Sequence, residues 1–428
     1  MSWKVAPISL LVCLIACGQL INLNPEEEVI ECESVERIRT GVGLVLTQTS
    51  ADTSQIDAFS TAQPECLQQA VLEYDGIGVL RQFEDRAVIL DQTPDAATVQ
   101  FIERDLSLGN KLTIDSDCMP VDALPFSNGR MLISCHAVPH ILVWNVEDNT
   151  LDTVIDLITM TTGGISLSDG DKAWPGMDQM AMDDEYIYVT IQDLVYNHDM
   201  DKTYPIGPGR IAKISQNWLE VVISLEQQPG FPLDPFWRPK TRMAQLSTGE
   251  FVIGCAGNGM GGGPESDPTI GVVKLNPSDI SKYSEIVADS NTLMGVPKDV
   301  VVTKDDRIFV WVGAPAPEDM LIVEEEGIAP PPGFEMHPPM PSSIVEVVEH
   351  VFPEGEIPEE NHIGMALPFM DYPAGQISAL EADPYGRLFV GFVPFVGAGR
   401  LGYMDVTKDD SEMMEVVLSG APKSIILY

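Results

Sequence analysis

From about residue 70 onward the chain repeats one loose unit, roughly 40 to 60 residues long, in which a tight turn leads into a strongly apolar strand. The apolar strands are AVILD from Ala87, RMLISC from Arg130, YIYVTI from Tyr186, EFVIGC from Glu250, RIFVWVG from Arg307 and RLFVGFV from Arg387. Each alternates or runs continuously in Val, Ile, Phe and Tyr, which is the composition of half-buried or buried strands. Turn chemistry precedes them, as in Ser127-Asn128-Gly129, Ser247-Thr248-Gly249 and Lys304-Asp305-Asp306. A third strand follows in each copy (TVQFIE, HILVWNV, GRIAKIS, IGVVKLN, SIVEVVE, GRLGYMDV), and in most a fourth, such as DTVIDLI, LEVVISL, KYSEIVA and EMMEVVL. No segment rivals these as a long amphipathic helix. Four antiparallel strands per repeat without a crossover helix is the pattern of a propeller blade, and a βαβ reading lacks its helices.

The two ends of the chain set the blade count. GAPKSIILY at the carboxyl terminus repeats GVPKDVVV at Gly295, the first strand of a blade, yet the chain stops there. GVGLVLTQ from Gly41, the segment from Gln55 to Ser60, and LQQAVLEY from Leu67 supply the three strands it lacks. The expected fold is therefore all-β: a seven-bladed β-propeller of four-stranded antiparallel blades, closed by one carboxyl-terminal and three amino-terminal strands. Six or eight blades, or a β-sandwich, are the alternatives. Closure removes both open sheet edges. Residues 40–428 then form one domain, with the prolines from Pro331 to Pro341 inserted inside a blade.

Strands of a meander alternate in direction, so second-to-third links and blade-to-blade links share one face. The long segments fall in that class: 193–209, 257–269, 313–343, 394–399, 161–176 and 353–375. Extra chain concentrated on one face of a rigid scaffold marks a working rim. Trp174, Phe231, Phe236, Trp237, Phe334, Phe369, Tyr372 and Phe395 interrupt its polar sequence. They either pack the links onto the blades or, for Trp174, Trp237, Phe334, Phe369, Tyr372 and Phe395, form a contact surface for a protein, peptide or glycan.

The blade rhythm over about residues 40–428 resembles surface propellers of the YVTN or NHL-like kind. That resemblance implies a scaffold and transfers no active-site residue. At the other end of the chain, Lys4, the apolar run PISLLVCLIA and Leu14-Ile15-Ala16-Cys17 precede an acidic stretch. This tetrad resembles the lipobox of bacterial lipoproteins. It implies a signal peptide over 1–16, lipidation of Cys17, and a tether over 17–39 that holds the domain on a bilayer by its acyl chains. Gly18 after the cysteine implies sorting to the outer membrane of a diderm envelope. A plain secretory leader is the alternative.

Charge narrows the partners. The sequence holds 24 Lys and Arg against 65 Asp and Glu, a formal net charge of −41, so it is not expected to grip nucleic acid. The expected partners are the bilayer through Cys17 and an envelope protein or glycan, with the soluble domain monomeric. An exported domain keeps disulfides. Cys118 with Cys135 is the favoured pair, since one turn separates their strands; Cys32 with Cys66 would staple the amino-terminal region, leaving Cys255 buried and unreactive.

Chemistry-bearing residues are sparse. His198 with Met200, Met336-His337 with Met340, and His362 with Met365 place imidazole beside thioether, a ligand set that suits copper, although 19 Met residues make such pairs common. No catalytic residue and no cofactor are assigned; calcium ranks ahead of copper among ions the acidic sequence would take. His136 and His140, and the acids Asp171, Asp178, Asp183 and Asp184, read more simply as structural groups. Gly257 to Gly263 lacks the Lys-Ser or Lys-Thr of a phosphate loop. The leading reading is a non-enzymatic binding propeller; the alternative is a metal-dependent, lactonase-like extracellular hydrolase.

Overall fold

The computed structural model describes residues 35–91, 97–114, 117–157, 172–197, 202–222, 231–257, 267–278, 285–313, 342–348, 365–372, 375–394, 397–408 and 411–428. They form seven four-stranded antiparallel sheets. The first full blade comprises Gly78–Phe83, Arg86–Asp91, Thr98–Ile102 and Leu108–Thr113; the second, Pro120–Phe126, Arg130–Cys135, His140–Asn145 and Thr150–Asp156. The third is built from Met177–Met182, Tyr186–Ile191, Arg210–Ser215 and Phe231–Pro232, and the fourth from Ala244–Gln245, Phe251–Ala256, Ile270–Leu275 and Glu285–Asp289. Val296–Val302, Ile308–Gly313, Ser342–Val348 and Met365–Tyr372 make the fifth; Gly375–Ala382, Arg387–Pro394, Arg400–Asp405 and Met414–Val417 the sixth.

The closing blade is assembled from both ends of the chain. Ala421–Leu427 pairs with Val42–Gln48, which pairs in turn with Thr53–Ser60 and then Gln63–Asp75. Its register runs Gly43 to Leu427, Leu44 to Ile426, Val45 to Ile425 and Leu46 to Ser424, so the apolar residues of both strands fall on the same faces. Val35 and Ile38, just ahead of this blade, are buried in the same core cluster as Leu44 and Leu46. No helix among the described residues is long and apolar enough to cross a membrane.

Neighbouring blades interlock through a repeated small-on-large contact. A side chain on Gly254, in the second strand of the fourth blade, would meet Pro297 of the fifth at 2.7 Å; one on Gly391 of the sixth would meet Pro422 of the closing blade at 2.9 Å. Each proline ring thus occupies the space a Cβ would fill. At the outer level, Arg387 donates to the Thr61 carbonyl of the closing blade, and Arg307 of the fifth blade to the Val406 carbonyl of the sixth. Phe59 and Phe389 pack with ring centroids 5.3 Å apart across the seam.

Of LEVVISL, the expected fourth strand of the third blade, residues 223–225 lie outside the described residues. In the described part Val221 bridges Ile214 and Val222 donates to the Lys213 carbonyl at 2.7 Å, and further along the chain Phe231 pairs with Ile211. Phe231 is buried beside Phe236 and Leu233.

The favoured disulfide is present: Cys118 and Cys135 are joined across 17 residues of sequence. Cys66 is also disulfide-bonded, while Cys32 lies outside the described residues. Cys255 is a buried free thiol, and its burial raises its pKa well above the ordinary thiol range.

The interlock can be tested by reversing β-propensity. Valine favours strands over glycine, so Gly391→Val would stabilise an open site; against Pro422 it is expected to cost about 1–3 kcal/mol in urea unfolding. An unchanged or raised midpoint would show that the blades do not meet this closely.

Candidate functional site

The first strands line a central channel, and their hydrogen-bond register explains what projects into it. In six of the seven blades the innermost strand carries a bulge at the same level, near its start. Extra residues fall between Pro120 and Asp122, Met177 and Met180, Pro297 and Asp299, Ile377 and Ala379, and opposite the Leu46–Thr47 step at Lys423. In the fourth blade Pro239 pairs with Cys255 and Ala244 with Val252, which leaves Lys240 to Met243 outside regular pairing. Only the first full blade keeps a regular register here. A bulge re-aims side chains that would otherwise alternate into the sheet. The bulged residues are Val121, Asp178 with Gln179, Lys240 to Met243, Lys298, Ser378 and Lys423.

This level belongs to the mouth that carries the long links. The segment Lys172–Trp174, which leads into the third blade, forms a small sheet with Leu194–Asn197 and Lys202–Pro205, both from that blade's second-to-third link. Likewise Trp237, in the link to the fourth blade, donates its backbone N–H to the Thr269 carbonyl at 3.0 Å and accepts from Gly257 at 3.1 Å. Blade-to-blade and second-to-third links therefore share a face, as the strand parity requires.

Inside this mouth lies a chamber of about 330 Å³ lined by Arg81, Lys240, Arg242, Lys298 and Lys423 against Asp122, Asp299 and Glu381, with Gln179, Trp311, Ser378 and Ser424. A second chamber of about 500 Å³ at the opposite mouth shares Arg81, Arg242 and Glu381 with the first, so these side chains form the waist of the channel. The arginines engage all three acids. Arg242 Nη2 donates to Asp299 at 2.7 Å and Nη1 to Glu381 at 2.7 Å, joining the fourth, fifth and sixth blades. Burial opposes the guanidinium charge, but the two carboxylates outweigh it and hold its pKa above the ordinary value. Arg81 pairs with Asp122, whose other oxygen accepts the Met180 N–H at 2.8 Å.

The lysines lie on one arc. Lys240, Lys298 and Lys423 occupy the bulged level of the fourth, fifth and closing blades, with Ser378 of the sixth between the last two. Lys423 is exposed and makes no ion pair or hydrogen bond with any described residue. Asp178 stands at the same level in the third blade. Burial raises its pKa, against the opposing influence of His136, Gln179 and Lys240, and the Asp122 charge adds to the rise. Gln179 and Gln192 donate to its two oxygens at 2.8 and 2.9 Å.

The residues singled out from sequence are distributed differently. Phe231 and Phe236 are buried in the core, whereas Trp174 and Trp237 are half-buried at the roots of links. Phe334 and Phe395 lie outside the described residues, as do His198, Met200, Met336, His337, Met340 and His362; of Met365, Phe369 and Tyr372 only the backbone is described. His136 Nδ1 meets the Met177 carbonyl at 2.9 Å, a link between the second and third blades. Asp183 caps the turn at the far end of the strand that begins near Asp178, accepting from Glu185, Tyr186 and Tyr188. Asp178 and Asp183 thus serve opposite mouths. Among the described residues no three His, Cys, Asp or Glu side chains gather as a metal site. The lysine arc does not follow from the sequence pattern above; its one local signal is Pro-Lys at 239–240, 297–298 and 422–423, the last two within the repeated GVPKDVVV and GAPKSIILY.

No protein-family model matches the chain, and no curated protein matches it in sequence. Solved structures share the fold. A Bacteroides uniformis protein described as a candidate 6-phosphogluconolactonase superposes with a TM-score of 0.53 at 13% identity, covering 90% of this chain and 98% of that one. A quinoprotein alcohol dehydrogenase-like protein of Bacteroides thetaiotaomicron gives 0.53 at 11%, over 91% and 79%. Hydrazine synthase of Kuenenia stuttgartiensis gives 0.50 at 12%, over 79% and 85%. The chain is a seven-bladed β-propeller. At these identities the likeness concerns the scaffold alone, and the contents of the channel belong to this sequence.

Removing the waist arginine would leave Asp299 and Glu381 without their shared counter-charge. Because Arg242 is partly exposed, Arg242→Met is expected to cost about 2–3 kcal/mol, below the loss for a fully buried pair. Urea unfolding measures it; an unchanged midpoint would show that the blades do not depend on this bridge.

Proposed function

We propose that this propeller is a non-enzymatic binding protein of the bacterial cell envelope, anchored through Cys17, and that its ligand enters the channel from the long-link mouth. The observation supporting this reading is the bulge repeated at one level of six blades, which in five of them turns a polar side chain into a chamber of about 330 Å³. That volume is at the small end for organic ligands, so a solute, a sugar unit or the end of a peptide fits better than a folded partner. The three acids lining it are already held by arginines, whereas Lys423, at the same level, makes no ion pair with a described residue. Binding needs no more than this arrangement; acyl transfer would need a positioned base as well.

One observation favours the hydrolytic alternative. Asp178, with its raised pKa, stands beside His136 and Lys240 at the chamber level, and a carboxyl so perturbed is a candidate acid or base. The two readings separate in one experiment. Ser378→Trp would fill the chamber from the sixth blade, where Ser378 is half-exposed. Thermal-shift titration of the full-length protein against sugars, organic acids and short peptides is expected to find a stabilising ligand whose effect disappears in S378W. A panel whose hits bind S378W equally would move the site elsewhere. Turnover of a lactone by the wild type, lost in Asp178→Asn with binding retained, would select the enzyme.

The address is tested separately. Cys17→Ser is expected to shift the protein from the membrane to the soluble fraction, because the acyl chains on Cys17 would supply nearly all of the bilayer affinity. Tight membrane partition of that variant would exclude the lipid anchor.

A further inference from the structure

Extending the binding reading to a ligand class, we infer that the long-link chamber is an organic-anion site, in which Lys240, Lys298 and Lys423 hold carboxylate or phosphate oxygens and the Trp311 ring packs against the same molecule.

Charge is the first argument. The chain carries a formal −41, yet the chamber lining has five cationic side chains against three acidic ones. In so acidic a protein the surrounding field repels anions, so a local positive excess requires residues placed against the average. The bulges place them: the same backbone irregularity delivers Lys at three of four successive blades and Ser378 at the remaining one. Lys423 has no counter-ion among the described residues. An ammonium is a mobile point charge with three donors, suited to carboxylate or phosphate oxygens.

The second argument is independent of charge. Trp311 lines the chamber, so a flat apolar ring stands beside the lysines, and the carbon skeleton of an organic anion can pack against it while the ammonium groups hold its oxygens. Register accounts for the tryptophan. Gly254 and Gly391 occupy the matching second-strand position in the fourth and sixth blades, where the following blade supplies Pro297 or Pro422. In the fifth blade the matching residue is Trp311, opposite Asp299, and the following blade has Ile377-Ser378 with no proline. The indole thus stands at the position where a glycine makes room for a proline ring in the other two blades, and Trp311 and Ser378 both line the chamber. That exchange puts an aromatic ring on the lysine arc.

Citrate, inorganic phosphate and glucose serve as probes, using full-length protein and isothermal titration calorimetry at low and moderate salt. Saturable citrate or phosphate binding is expected, weakened at least tenfold by Lys423→Gln and further by Lys298→Gln with Lys423→Gln, while glucose does not bind. The stronger of the two anions identifies the source as carboxylate or phosphate. Tryptophan fluorescence should change on binding in the wild type and not in Trp311→Phe, whose folding is checked by its unfolding midpoint. Salt-insensitive binding, or binding unaffected by K423Q, would overturn the anion site. If neither anion binds but a neutral ligand does, and S378W blocks it, the anion class falls while the chamber reading stands. If nothing binding the wild type is sensitive to S378W, both fall.

Discussion

The fold depends on one antiparallel pairing. Ala421–Leu427 must find Val42–Gln48 across nearly the whole chain, and until it does each terminal blade leaves an unpaired edge. The contact is long-range, with a correspondingly large closure entropy, and is held by apolar residues at successive positions of both strands: Leu44, Val45 and Leu46 against Ile425 and Ile426. Once made, it fixes the positions of the first and sixth full blades relative to each other. The Arg387 bridge to Thr61 and the Phe59 to Phe389 contact then seal the same seam at other radii.

Closure also creates the channel, and the channel gives the inner-strand bulges their meaning. In an open sheet an extra residue merely twists an edge. Around a ring, five of the six irregularities at one level deliver a side chain to a common space. The waist below them is a network in which Arg242 reaches two other blades, so the element that separates the two chambers also ties the scaffold together. The side chains of the upper chamber are thereby carried on strands, which hold them more firmly than the long links outside the mouth would.

Much of this was legible in the residues. Second-strand runs such as RIFVWVG and RLFVGFV, the turn chemistry before them and the repetition of GVPKDVVV in GAPKSIILY were sufficient for blade count and seam, because strand periodicity and turn preference are local properties. The pairing of Cys118 with Cys135 was accessible for the same reason: a single turn separates their strands. The candidate chamber was not. Asp178, Lys240 and Lys298 lie far apart in sequence and look like isolated surface charges in an acidic chain. The aromatic residues of the links stand out more in the sequence, yet Phe231 and Phe236 among them belong to the core.

Local pattern by itself determined the blades, their number, the strand that closes them and the face that carries the long links, since each follows from period-two alternation and the direction of consecutive strands. Only the tertiary structure decided which polar residues share a space. A bulge is a mismatch between two strands and leaves no reliable mark in either one alone, and a channel exists only after seven sheets have closed. Lys423 and Trp311 thus became neighbours of the same chamber through register and ring geometry, neither of which is written in the order of the residues.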